Sequence, residues 1–168
     1  METKTNALPM DFLTATLSDV LRAYHAHATR YRHLAFSSKE LAALDSVTHA
    51  LTALLPDYTV WRGGCTEPGP PVSCSRPEFI AEVFDTPRNG LIIEQPHYWW
   101  LSWPITDKQA FWSALSARQS CHPVIVVFVE NNDFAELNQQ YFIGRELSGL
   151  PVKLWVSTKT ASITQGFL

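Results

Sequence analysis

Apolar residues in the first third of the chain recur at steps of three and four, which is the spacing of one face of an α-helix. The pattern predicts a helix over Asp11–Ala35 and a second helix that ends at Leu55, before a proline. Between them, Ser37 and Glu40 have the spacing of a capping box at the start of a helix. Because the break is short, the sequence predicts an antiparallel helix pair over residues 11–56.

The second half of the chain contains short, uninterrupted apolar runs, which are typical of buried strands. The clearest is VIVVFV, Val124–Val129, which is β-branched and apolar on both faces. The other predicted strands are Tyr58–Trp61, Leu91–Ile93 and Val152–Val156, and the predicted helices are Arg76–Asp85, one that begins at Thr106, and Phe134–Leu147. Strands joined by helices normally lie parallel. We therefore expect an α/β fold, in which the N-terminal helix pair precedes a small, mainly parallel sheet (β-α-β-α-β) with helices packed on it.

The composition suits one domain with one hydrophobic core, since 46% of the 168 residues are hydrophobic and 17% are charged. The expected parts of this single domain, 1–168, are the helix pair at 11–56, a Gly/Pro-rich loop at 63–77 and the α/β part at 78–160. Residues 78–85 leave an alternative open. Their apolar residues share a helical face, but Asn89 with the glycine after it is a hairpin signal that would make them a strand. We prefer the helix.

The net charge of the chain bears on its partners, and its cysteine content bears on its cellular compartment. The net charge is −3 and there is no run of Lys or Arg, which does not favour nucleic acid or an anionic membrane. No apolar stretch approaches the ~20 residues of a membrane helix, and the N-terminus lacks the pattern of a signal peptide. The three cysteines have no framework spacing and are read as reduced thiols. We expect a cytoplasmic protein without a cofactor and leave its oligomeric state open.

Acidic residues follow two of the predicted strands. In an open parallel sheet, ligands bind beyond the carboxyl ends of the strands. Glu94, Glu130 and Asp133 occupy such positions, and carboxylates converging there would bind Mg²⁺ or form an acid/base pair. The alternative is structural: Asp133 would cap the next helix and Glu130 would be solvated.

Two of the predicted strands resemble those of P-loop ATPases. Leu91–Glu94 is similar to the apolar strand whose terminal acidic residue holds Mg²⁺ in that family, and Val124–Asn132 resembles its sensor strand. The family also has a loop, G-x-x-x-x-G-K-[ST], whose amides and lysine bind the phosphates. The loop after Trp61 has glycines but no lysine, and its prolines lack amide protons. The resemblance implies a nucleotide-binding fold that has lost ATP hydrolysis.

The hairpin alternative leads to a different class of enzyme. Asp85 followed by Glu94 is similar to the acidic pair of restriction-endonuclease-like cores, where a metal ion lies between strand carboxylates. That pattern has a lysine two residues after the glutamate, and this chain has Pro96 there. The departure argues against a working nuclease.

Aromatic residues are abundant, at 12% of the chain, and crowd together in one segment. Tyr98, Trp99, Trp100 and Trp103 are the candidate partner-binding residues, because a small domain rarely buries both faces of such a strand and Trp and Tyr serve as interface anchors. The alternative is that the helix pair covers them.

Two functional hypotheses follow. The first is a non-catalytic protein-interaction module, an accessory, regulatory or immunity-type protein whose partner is another protein. The second is a degenerate nucleotide-binding protein or a Mg²⁺-dependent phosphoryl-transfer or nuclease-type enzyme that uses the strand-end carboxylates.

Overall fold

A computed structural model describes residues 9–26, 33–62, 76–95, 103–117, 122–130 and 141–158. The helices are α1 (Met10–Leu21), which continues into one π-helical turn (Arg22–Ala26), α2 (Leu41–Leu54), α3 (Arg76–Phe84) and α4 (Ile105–Ala117). The strands are β1 (Leu34–Ser38), β2 (Thr59–Arg62), β3 (Leu91–Glu94), β4 (Val124–Val129), β5 (Phe142–Glu146) and β6 (Lys153–Ser157). They form a six-stranded sheet in the order β2-β3-β4-β1-β6-β5.

The α/β class predicted from the sequence is confirmed, and the sheet is mostly parallel. Strands β2, β3, β4 and β1 run in the same direction. Strands β6 and β5 add an antiparallel pair beside β1. The VIVVFV strand, β4, lies between two parallel neighbours, β3 and β1, as its apolar character on both faces predicts.

Helices cover both faces of this sheet. Alternate residues of β4 point to opposite sides: Val126 packs with α3 and α4, whereas Val127 packs with α1 and α2. The two resulting cores are separated only by the sheet. Within the described ranges, no helix has the length and apolarity needed to cross a membrane.

The first predicted helix is too long. Helix α1 ends at Leu21, and Leu34–Ser38 is a strand whose five residues are all buried. The run LAFSS is short and apolar on both faces, and such a run fits a helix or a buried strand equally well in sequence. Pairing with β4 and β6 decides the matter, because both sides of β1 are hydrogen-bonded in the sheet.

The helix pair itself is present, since α1 and α2 share one core, but its predicted antiparallel orientation is wrong. Phe12, in the first turn of α1, lies beside Gly149 in the turn before β6. That turn is at the edge of the sheet where β1 ends, because Lys153 of β6 is registered with Ser37. Helix α2 begins at the same edge. Strand β1, between the two helices, brings the chain back to that edge. Helices α1 and α2 therefore both run away from it and are parallel.

The predicted helix Phe134–Leu147 is wrong in its last part, since Phe142–Glu146 is strand β5, and residues 131–140 lie outside the described ranges. Gly149 lies in the tight turn between β5 and β6, with φ +78°. The Leu147 amide donates to the Val152 carbonyl across the turn, at 3.1 Å. A turn this short makes β6 antiparallel to β5, so β6 is not the parallel strand that alternation predicts.

The helix preferred for the ambiguous segment is confirmed. Helix α3 spans Arg76–Phe84, and Phe79, Val83 and Phe84 are buried on one face. The helix predicted to begin at Thr106 is also confirmed, as α4, which begins one residue earlier and buries Phe111 and Leu115 against the same side of the sheet.

The central position of β1 has a measurable consequence. Phe36 is fully buried, so Phe36→Ala leaves a cavity between the sheet and α2, and we expect it to lower the free energy of unfolding by about 3–5 kcal/mol. The matched control is Phe12→Ala, which removes the same ring from a site where it is 48% exposed and should cost about 1 kcal/mol or less. Urea denaturation of both variants makes the comparison. Equal losses would contradict a central β1.

Candidate functional site

The strand order creates one topological switch point, between β1 and β4. From β1 the chain passes through α2 to β2 at one edge of the sheet, whereas from β4 it proceeds to β5 at the other edge. The connections from these neighbouring parallel strands therefore lead to opposite edges of the sheet. Ligands of open α/β sheets bind in the crevice that such divergence leaves at the carboxyl ends of the strands.

A cleft of about 640 Å³ lies at this point. Its walls come from the end of β1 and the linker to α2, from the residue after β4, and from the β5–β6 turn. The lining residues are Ser37, Ser38, Lys39, Glu40, Glu130, Glu146, Leu147, Ser148, Gly149, Leu150, Pro151, Val152 and Lys153. The volume lies within the range of small-molecule sites.

One wall of the cleft is held by a chain of hydrogen bonds across three strands. The buried Trp155 indole N–H donates to Ser37 Oγ at 2.7 Å, and the Ser37 hydroxyl donates to Glu130 Oε2 at 3.4 Å. Strand β1 lies between β4 and β6, so Ser37 can bridge a residue of each neighbour. Glu130 is thereby fixed at the mouth of the crevice instead of being freely solvated.

The Glu130 carboxylate also has a cationic partner. Lys153 Nζ lies 3.5 Å from Glu130 Oε1 and 5.2 Å from the centre of the Trp155 ring. The side chains of Lys153 and Glu130 are only 30% and 19% exposed, so their charges are less screened than those of a surface pair. The Glu130 amide donates to the Ser38 carbonyl at 2.9 Å, which extends the β1–β4 ladder to the cleft.

The opposite wall contains the start of α2. Ser38 accepts a hydrogen bond from the Glu40 amide at 3.0 Å and donates to the Pro151 carbonyl, which ties the end of β1 to the β5–β6 turn. The predicted capping box is wrong, because Glu40 is the N-cap residue of α2 and its side chain makes no capping hydrogen bond. The first amides of α2 lack intrahelical acceptors and carry the positive end of the helix dipole. Lys39 and Glu40 are both exposed beside them.

The structure separates two of the predicted metal ligands. Glu94 ends β3 and is registered with Val127, so it points to the α1/α2 face of the sheet, whereas Glu130, three residues after Val127, bonds on the opposite face. Asp133 lies outside the described residues. Within the described ranges no group of three His, Cys, Asp or Glu side chains could hold a metal ion. A site formed by Glu94, Glu130 and Asp133 together stays a prediction.

Glu94 is nevertheless unusual for a carboxylate, because it is only 6% exposed. Gln95, which follows it, is also buried and has φ +50°, a left-handed conformation that is costly for a residue other than glycine. The Gln95 amide donates to the Val127 carbonyl at 2.6 Å. The backbone after β3 is thus held against β4 in a strained conformation.

The predicted aromatic surface falls mostly outside the described residues, which include Trp103 but not Tyr98, Trp99 or Trp100. Trp103 is partly buried and makes an edge-to-face contact with Phe79, with ring centres 5.5 Å apart. Trp103 thus packs at the border of the α3/α4 core. The partner-binding role of this segment stays a prediction.

Sequence reasoning found Glu130 but missed the residues around it. Ser37, Ser38 and Lys39 fall in the predicted break between two helices, because the sequence pattern does not predict a strand at β1. Lys153 was placed in a strand, but its proximity to Glu130 depends on the antiparallel pairing of β6 with β1. An apolar run that ends in polar residues, LAFSSK, is compatible with the end of a buried strand, but it does not exclude a helix.

The glycine-containing loop after Trp61 and the linker beside Glu130 follow different strands of the sheet. Strand β2 is at the edge of the sheet, so the loop after Trp61 follows a strand that is separated from β4 by β3. The linker that adjoins Glu130 is Lys39–Glu40, and it has no glycine.

Comparisons with family models, curated proteins and solved structures give no match. Assignment of the site therefore depends on its geometry.

The hydrogen-bond chain across the cleft wall predicts a stability effect. Ser37→Ala leaves the buried Trp155 indole N–H without its acceptor, and we expect the free energy of unfolding to fall by about 1–3 kcal/mol. The control is Ser148→Ala in the exposed turn, which should change stability by less than about 0.5 kcal/mol. Urea denaturation measures both. Equal stability of the two variants would show that the Trp155–Ser37 bond does not hold the wall.

Proposed function

We propose that the protein binds a nucleotide, or a closely related phosphate ester, as its Mg²⁺ complex in the cleft between β1, β4 and the β5–β6 turn, and does not hydrolyse it. The observation that carries the proposal is the position of the cleft. It occupies the switch point of the sheet, where α/β folds bind ligands, and it has a polar wall and a helix N-terminus. This function corresponds to the second hypothesis from the sequence, in its non-catalytic form.

The charges of the cleft favour a magnesium complex over a bare phosphate. Its lining includes the lysines Lys39 and Lys153, and the glutamates Glu40, Glu130 and Glu146. Two positive and three negative side chains give a net charge of −1, which would repel a free polyphosphate. Mg²⁺ is usually held by one or two carboxylates together with phosphate oxygens, and does not need a cage of protein ligands. Glu130 is the carboxylate in position for it.

The remaining polar groups suit the phosphates themselves. Backbone amides at a helix N-terminus are good partners for phosphate oxygens, and Glu40, the N-cap residue of α2, lines the cleft. Lys39 stands next to them and is exposed, so it can reach a ligand without breaking an internal contact. The phosphate group is therefore placed between the start of α2 and Glu130.

The absence of hydrolysis is inferred from the β1–α2 linker. A phosphate loop needs several residues whose amides surround the phosphates, with glycines that allow the close approach. Here the linker has two residues, Lys39 and Glu40, and no glycine. Binding without turnover suits a regulatory or accessory protein, and we place it in the cytoplasm, as its composition suggests. Recognition of another protein through the Tyr98–Trp103 segment is compatible with this role.

Ligand binding is tested by thermal unfolding in the presence of ATP, ADP or GTP, each with and without Mg²⁺. A ligand at 100 times its Kd stabilises the folded state by about 2.7 kcal/mol, which corresponds to a rise in Tm of about 5–10 °C for a domain of this size. We expect this rise with Mg²⁺-nucleotide and a smaller one with nucleotide alone. No shift with any of these ligands would reject the proposal.

Variants locate the binding site. We expect Lys39→Ala to weaken Mg²⁺-nucleotide binding about tenfold in calorimetry, because it removes a charge-assisted contact to phosphate. Lys108→Ala, on α4 and outside the lining of the cleft, is the matched control and should bind normally. Glu130→Gln should remove the advantage of Mg²⁺, and it should strengthen metal-free binding, because it removes one of the negative charges that repel a free polyphosphate. If Lys39→Ala and Lys108→Ala bind equally well, the ligand is not in this cleft.

A further inference from the structure

Exposed apolar side chains are concentrated at one edge of the molecule. Among the described residues, five large apolar side chains are exposed: Met10, Phe12, Leu41, Ile105 and Ile143. Three of these are in the first turns of α1 and α2, which begin at the same edge of the sheet. Isolated apolar residues are common on protein surfaces, but a group of them beside a cleft is typical of a binding site.

Phe12 is the member of this group with a direct connection to the cleft. It is 48% exposed and lies over Gly149, where a Cβ atom would be 3.3 Å from Phe12 Cε2 and 3.5 Å from Phe12 Cζ. Gly149 is itself a lining residue of the cleft, and its φ of +78° favours glycine. One edge of the Phe12 ring is therefore close to the turn, and about half of the residue is exposed beside a lining residue of the cleft.

The cleft is lined by both charged and apolar residues. The charged groups Lys39 and Glu130 lie at the ends of β1 and β4, whereas the β5–β6 turn contributes Leu147, Leu150 and Val152. Ligand sites that combine an apolar wall with a few convergent polar groups bind molecules with the same division. A nucleotide has it, with phosphates at one end and a flat base at the other.

We infer that Phe12 is the stacking platform for the base, so that the ligand class is nucleotides and not phosphate compounds in general. The inference depends on the proposed function, because it assigns the second end of the same ligand. An aromatic ring that is supported on one edge and open on its face can stack with any base, and such stacking contributes substantially to affinity. It provides affinity for the ring system with little discrimination among bases.

The test compares ATP with tripolyphosphate, which has the phosphates and no base, by isothermal titration calorimetry in the presence of Mg²⁺. We expect the protein to bind ATP about tenfold more tightly than tripolyphosphate. Phe12→Ala should remove this difference by weakening ATP binding alone, and Phe12→Trp should retain it. Ile143→Ala, which removes another exposed apolar side chain from edge strand β5, should leave both affinities unchanged.

The outcomes separate the inference from the proposed function. If the protein binds ATP and tripolyphosphate equally, or if Phe12→Ala binds ATP normally, the stacking role is rejected and phosphate binding in the cleft stands. If neither compound binds, both are rejected. Self-association of the protein that is lost in Phe12→Ala would assign the apolar edge to a second copy of the chain, and would also overturn the inference.

Discussion

The structure depends on the parallel pairing of β1 with β4. Five residue pairs join the two strands, from Leu34 with Ile125 to Ser38 with Val129. Both strands are buried and carry apolar residues to both faces, so this pair supports both helical layers. Burial of these apolar groups on both faces stabilises the centre of the sheet. The same ladder continues into the cleft through the bond between the Ser38 carbonyl and the Glu130 amide.

This pairing also determines the geometry of the cleft. A strand between α1 and α2 makes the two helices run in one direction, so both begin at the edge where β1 and β4 end. Their positive dipole ends therefore add at that edge. The antiparallel β5–β6 hairpin brings its turn to the same edge and closes the crevice on the third side. The cleft thus combines polar backbone groups, a pair of opposite charges and an apolar rim. These come from segments that are far apart in the chain.

The charged groups of the cleft are coupled to the fold through Trp155. Its indole N–H holds Ser37, Ser37 contacts Glu130, and Lys153 lies between Glu130 and the Trp155 ring. A partly buried ion pair contributes little net stability by itself, because desolvation offsets much of its attraction. The Glu130–Lys153 pair instead holds a carboxylate and an ammonium group in the lining of the cleft. A bound magnesium complex would take up the carboxylate that Lys153 now neutralises.

The sequence alone determined the elements whose patterns have only one physical reading. The VIVVFV run of β4 is too short for a helix of its own and too apolar for a loop, whereas the segment of α3 favoured a helix and left a hairpin strand open. The sequence also predicted an acidic residue at the carboxyl end of β4, because Glu130 directly follows that strand. Tertiary structure alone decided the rest. LAFSS is compatible with a helix or a strand until β4 and β6 pair with it on both sides, and the pleat of the sheet sends Glu94 and Glu130 to opposite faces. Local sequence encodes the preference of each segment, whereas the neighbours of a strand, and hence the residues that share a cleft, depend on contacts between segments that are distant in the chain.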